Sequence, residues 1–103
     1  MAENARQFFE TLEARAGNSS KAAGLNATYL FDIDGAGKWK VRVENGQVSV
    51  EEAAGDADTT ISASEETFMR IVNGDQNPTS AFMMGKLKVT GDLSNAMKLQ
   101  QLF

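Results

Sequence analysis

Hydrophobic positions change their spacing several times along this chain, and each change marks an element. Ala5, Phe8, Phe9, Leu12 and Ala16 recur three or four residues apart with polar residues between them, which predicts an amphipathic helix over residues 2–16, stopped by Gly17. The small, polar stretch NSSKAAGLN that follows reads as a loop. From Ala27 the period falls to two. Tyr29, Phe31 and Ile33 share one face of a first strand that ends at Asp34-Gly35-Ala36-Gly37. In a second strand Trp39, Val41 and Val43 alternate with Lys38, Lys40 and Arg42, and Asn45-Gly46, a strong two-residue hairpin signal, leads into a third at Gln47–Glu51. A short fourth strand is expected at Asp58–Ala63, where Thr59, Ile61 and Ala63 share a face.

Helical spacing then returns. Ser62 or Ser64 can cap a helix with Glu65 and Glu66 in its first turn and Phe68, Ile71 and Val72 as its apolar stripe. Asn73-Gly74 ends it, and Asn77-Pro78 opens another containing Ala81, Phe82, Met83 and Met84, closed by Gly85. Lys86–Thr90 alternates as a fifth strand with Leu87 and Val89 inward, and Gly91-Asp92 starts a final helix that runs to the C-terminus. Leu93, Ala96, Met97, Leu99 and Phe103 spread over a wide arc of that helix; Leu102 falls outside the arc, consistent either with a chain end or with exposure at a ligand mouth or partner.

Composition narrows the function classes. The 103 residues suit a single domain over positions 1–103, and 42% hydrophobic content with one proline describes a folded chain rather than a disordered one. A net charge of -4 argues against a nucleic-acid partner, which needs clustered Lys and Arg. No apolar run approaches the roughly 20 residues of a membrane span, and MAENARQFFE lacks a basic segment followed by an apolar one, so the cytoplasm is the expected location.

Cysteine and histidine are both absent, which removes thiolate nucleophiles, Ser-His and Cys-His pairs and the commonest zinc ligands. Asp32-Ile33-Asp34-Gly35 opens like a calcium loop, but its twelfth position is Val43 rather than a glutamate. Gly35-Ala36-Gly37 joins two strands and has no helix N-terminus to cradle a phosphate. Adjacent Glu51-Glu52 and Glu65-Glu66 point their carboxylates apart. The expectation is a protein that is not an enzyme and needs neither cofactor nor metal. What stands out instead is flexible apolar surface: four of the five methionines fall between Phe68 and Phe103, alongside Phe82. Such a stripe fits plain core and also fits a surface that adapts to ligands of varied outline.

The stretch ADTTISASEETFMRIVNGDQNPTSAFMMGKLKVTGD, followed by NAMKLQQLF, resembles the second half of the sterol carrier protein type 2 sterol-binding domain. The opening helix with Phe8-Phe9, the strand TYLFDID and Lys38-Trp39 agree more loosely, so the resemblance covers essentially the whole chain. It implies an α+β fold in which a curved, mostly antiparallel five-stranded sheet is covered on one face by helices that enclose a hydrophobic tunnel. It also implies non-enzymatic binding and transfer of fatty acids, acyl-CoA thioesters, phospholipids or sterol-like lipids. The alternative is an accessory domain that presents a lipid intermediate to a lipid-metabolising enzyme. By family position Trp39 and Val41 would form the sheet floor, Phe68, Ile71, Phe82, Met83, Met84 and Leu87 the walls, and Met97, Leu99, Leu102 and Phe103 one end. Lys86, Lys88 and Lys98 could attract a headgroup, but the reading favoured is that of ordinary solvated lysines. Eukaryotic members often end in a peroxisomal address, whereas Gln101-Leu102-Phe103 does not, which fits a stand-alone prokaryote-like member. Transient membrane contact is compatible with this reading, and the oligomeric state stays open between monomer and dimer.

Overall fold

Residues 4–16 and 26–99 are described by the structure, a computed structural model. The first helix, α1 (Ala5–Ala16), begins later than its spacing predicts because Asn4 caps it, its Oδ1 accepting from the Gln7 N–H at 2.8 Å. The period-two segments become β1 (Ala27–Asp34), β2 (Gly37–Glu44), β3 (Gln47–Glu51), β4 (Thr59–Ser64) and β5 (Leu87–Gly91). Helices α2 (Glu65–Val72) and α3 (Pro78–Met83) lie between β4 and β5, and α4 (Leu93–Leu99) follows β5. The predicted stop at Gly17, most of the loop after it and the helical positions beyond Leu99 lie outside the described residues.

Local chemistry sets most boundaries. Asn45 and Gly46 both take positive φ (51° and 84°), the mirror-image turn whose twist matches the strands it joins. Of the two serines that could cap α2, Ser64 does so, accepting from the Thr67 N–H at 3.2 Å. Asn77 caps α3 through bonds from the Thr79 and Ser80 N–H groups, with Pro78 at the first helical position, where its missing N–H costs nothing.

The strands form one sheet in the order β3-β2-β1-β4-β5. Every neighbouring pair is antiparallel except β1 and β4. Register places Trp39, Phe31, Ile61 and Val89 in one row across β2, β1, β4 and β5, with Val41, Tyr29 and Thr59 in the next row on the same face. The opposite face carries Lys38, Asp32, Ser62 and Lys88 in the corresponding row. Among the described residues the helices cover the first face, so the alternation read from the sequence becomes a one-sided core.

Five aromatic rings fill half of that core. Phe9 stacks between Trp39 and Phe68, with centroids 4.7 and 5.3 Å away and both interplanar angles at 15°. Phe8 meets Phe9 and Phe68 edge-on, and Phe31 packs beneath Phe9 and Phe68. Two polar contacts fix the helix outside the cluster: Arg6 forms a two-pronged pair with Glu52, and the Ala5 N–H donates to Glu65 Oε2 at 3.2 Å.

The far end of the sheet is tied to α4 through buried hydroxyls. Tyr29 Oη donates to the Asn95 carbonyl and Thr59 Oγ1 to the Asp92 carbonyl, each at 2.8 Å. Asp92 also donates its N–H to the Asp58 carbonyl at 3.0 Å, so α4 enters directly from the edge of β4. Asp92 then caps α4 with its carboxylate, and these hydrogen bonds, led by that from Ser94, hold its pKa below the ordinary range.

Two predictions follow from this framework. Gly35 and Gly91 share a φ of 90°, but a side chain at Gly35 would meet open space, while one at Gly91 would collide with the Asp58 carbonyl. Gly35→Ala is expected to cost about 1 kcal/mol and Gly91→Ala about 3 kcal/mol, read as shifts in the urea midpoint. The second concerns Tyr29, the only tyrosine, whose phenol is pushed up to about 12 by burial and then by the Asp58 and Asp92 carboxylates. The folded state holds this proton where the unfolded chain, with an ordinary pKa near 10, releases it. Stability from this group is therefore complete below pH about 10 and disappears as pH rises through about 12. Ultraviolet titration of tyrosinate should show a midpoint near 12 in the folded protein, and Tyr29→Phe should flatten that part of the alkaline stability profile.

Candidate functional site

α1 covers the β2–β3 side of the sheet, so the β1–β4–β5 side is left for the three shorter helices. They do not fill it. A cavity of about 660 Å³ remains, within the ~300–1,000 Å³ range of small-molecule sites. Its floor is Phe31, Ile61, Leu87 and Val89, a patch created by the pairing of β1, β4 and β5. Phe68, Ile71, Val72 and Gly74 supply the α2 wall; Asn77, Pro78, Thr79 and Phe82 the α3 wall; Leu93, Ala96 and Met97 the α4 wall.

Among the described residues no charged side chain lines this cavity, and the polar side chains in the lining are Asn77 and Thr79, with Asn77 Oδ1 already committed to capping α3. The described lining therefore offers apolar contact and no acid–base pair or metal-binding group. Phe82, Leu93 and Met97 line the space while remaining about half exposed or more, so they form an apolar rim open to solvent.

The residues expected at a ligand site separate into four groups. Phe68, Ile71, Phe82, Leu87 and Met97 converge on the cavity. Trp39 and Val41 do lie on the helix-covered face, as expected of a floor, but beneath α1, where Trp39 is 2% exposed and stacked on Phe9. Met83 and Met84 point away from the lining, 80% and 58% exposed. Leu102 and Phe103 lie outside the described residues, as does the side chain of Leu99, whose backbone belongs to α4.

Several lining residues were not singled out by the sequence. Phe31, Ile61 and Val89 carried the signal in their alternation, but only the parallel β1–β4 pairing shows that they share one patch with Leu87. Gly74, Asn77 and Pro78 read as helix punctuation, and that is also why they line a gap: the α2–α3 connection is where the helical cover is interrupted. Lys86 and Lys88 belong elsewhere, in a polar recess of about 280 Å³ shared with Asp32, Asp34, Ser62 and Ser64. Lys98 is exposed near Asp92. Among the described residues no helix is long and apolar enough to cross a membrane.

Comparison with known proteins accounts for this architecture. Human sterol carrier protein 2 is 45% identical over 85 residues, which are 80% of this chain and 16% of that protein. Human hydroxysteroid dehydrogenase-like protein 2 is 36% identical over 80 residues, 74% of this chain and 19% of that protein. The chain thus spans under a fifth of the length of either relative. The solution structure of sterol carrier protein domain 2 from Helicoverpa armigera superposes with a TM-score of 0.79 at 26% identity, covering 93% of this chain and 82% of that domain. The sequence pattern of the SCP-2 sterol transfer family matches residues 9–103, a span that holds Phe9 of the aromatic stack and every wall of the cavity, and the chain belongs to that family.

Proposed function

We propose that this chain is a carrier that holds the apolar part of a long-chain lipid in the β1–β4–β5 cavity and transfers it without chemical change. The observation that carries this reading is an apolar space of about 660 Å³, free of charged side chains among the described lining residues and rimmed by exposed apolar side chains. Each buried methylene is worth about 0.8 kcal/mol, so a long acyl chain offers a gross gain on the order of 10 kcal/mol before ordering costs. Because that force has no direction, fatty acids, acyl-CoA thioesters, phospholipids and sterol-like lipids are all compatible cargo, discriminated mainly by girth. A charged headgroup meets no charged partner among the described lining residues and stays in solvent at the rim.

A second reading has its own support. The homologous segment makes up only 16% of human sterol carrier protein 2 and 19% of hydroxysteroid dehydrogenase-like protein 2, so this fold occurs as part of larger proteins. In such a setting it would present a lipid to a neighbouring enzyme. Transfer between vesicles by the chain alone separates the two: a carrier moves lipid unaided, whereas a presenting domain binds lipid but transfers it poorly.

Phe82 and Met83 are neighbours on α3, yet only Phe82 lines the cavity. Phe82→Glu is expected to weaken binding of a fluorescent fatty acid about tenfold or more, because its carboxylate must lie against the apolar chain. Met83→Glu should leave the affinity within about twofold, since its side chain stays in water. Fluorescence titration measures both. Equal losses would place the lipid somewhere other than this cavity.

A further inference from the structure

We propose that Met97 is an oxidation site at which a hydroperoxide weakens lipid binding, and that bound lipid in turn shields this sulfur; the inference rests on the carrier reading of the cavity. The four methionines among the described residues fall into three settings. Met69 is half-buried against the core. Met83 and Met84 are exposed but form no part of the lining. Met97 lines the cavity and is 71% exposed, so there alone an accessible thioether coincides with the surface on which an apolar chain would lie.

The chemistry is a two-electron oxygen transfer. The Met97 sulfur attacks the terminal oxygen of the hydroperoxide, the O–O bond breaks, and the alkoxide leaves and takes up the peroxide's proton as an alcohol, or as water when the oxidant is hydrogen peroxide. Sulfur is oxidised to the sulfoxide and the peroxide is reduced. The product replaces an apolar, adaptable group with a strong hydrogen-bond acceptor. Its α4 neighbours in the lining, Leu93 and Ala96, have no side-chain donor to offer it. A lipid chain covering the sulfoxide strips its water without replacement, which is expected to lower affinity about tenfold. The same covering, before oxidation, keeps solvent-borne peroxide from the sulfur. Methionine sulfoxide reduction would restore the apolar wall, making the effect reversible.

The other exposed methionines are internal controls. The full chain is treated with hydrogen peroxide with and without bound oleate, and sulfoxides are mapped by peptide mass spectrometry. Oleate should slow oxidation at Met97 several-fold and leave Met83 unchanged. Affinity for a fluorescent fatty acid should then fall about tenfold on oxidation. In Met97→Leu the ratio of affinities before and after oxidation should approach one, while Met83→Leu/Met84→Leu should keep the loss seen in the unsubstituted chain. If unoxidised protein takes up neither lipid, both the carrier reading and this inference fall. If it binds them, but oleate does not protect Met97 and oxidation does not change affinity in a Met97-dependent way, this inference alone is overturned.

Discussion

The stacking of Phe9 between Trp39 and Phe68 is the contact on which the rest of the arrangement depends. It joins α1, β2 and α2, three elements far apart in sequence, and it divides the helix-covered face in two. On the α1 side the rings pack against one another, and Trp39, Val41 and Val43 are all buried there. On the other side α2 presents Phe68 to the stack with one part of its surface and Ile71 and Val72 to the cavity with another. Phe31 and Phe68 belong to both regions, so the partition between solid core and open space is itself aromatic. Stacked and edge-on rings have restricted geometry, which lets a chain of this size keep one half rigid while leaving the other unfilled.

The opposite wall is held by hydrogen bonds instead. On α4, Leu93 and Met97 line the cavity and remain largely exposed. Its position comes from Tyr29, Thr59 and the backbone of Asp58, all directed at the first turn of the helix or the residue before it. Asp58 serves both ends of this link, since its carboxylate accepts from the Thr28 N–H on β1 while its carbonyl accepts from Asp92. Among the described residues these hydrogen bonds hold α4 at its start, around Asp92 and Asn95.

Much of the fold was legible because each element is encoded locally. The two-residue turn at Asn45-Gly46, the Asn77-Pro78 cap and the alternation of β1 and β2 are properties of a few neighbouring residues. Helix α1 was read correctly in its buried face, Ala5, Phe8, Phe9 and Leu12. The division of the sheet face was not legible, because nothing in the alternation of Trp39 and Val41 distinguishes a residue under α1 from one beside an opening. Both positions are apolar, β-preferring and inward. Their fate is decided by the parallel pairing of β1 with β4, a contact between residues about 30 apart, which shifts the α2–α4 layer onto the other half of the sheet. Met83 and Met84 are a different case: α3 has only six residues, and the apolar run Ala81–Met84 is longer than the face such a helix can bury.

The distribution of charge then constrains what the cavity can select. Lys86 precedes β5 and Lys88 lies within it, but both face the polar recess with Asp32 and Asp34, and the sheet stands between Lys88 and the cavity floor. Lys98 sits near the Asp92 carboxylate. On the carrier reading, a lipid headgroup at the rim meets water rather than a cradle of described charged side chains, and electrostatics can guide approach without fixing one headgroup. Selectivity is left to the shape of the apolar walls, and those walls include Phe82, Leu93 and Met97, the side chains least confined by neighbours. A site built this way favours length and girth over head chemistry, and any change in polarity at the rim, by substitution or by oxidation, acts directly on the one property it can read.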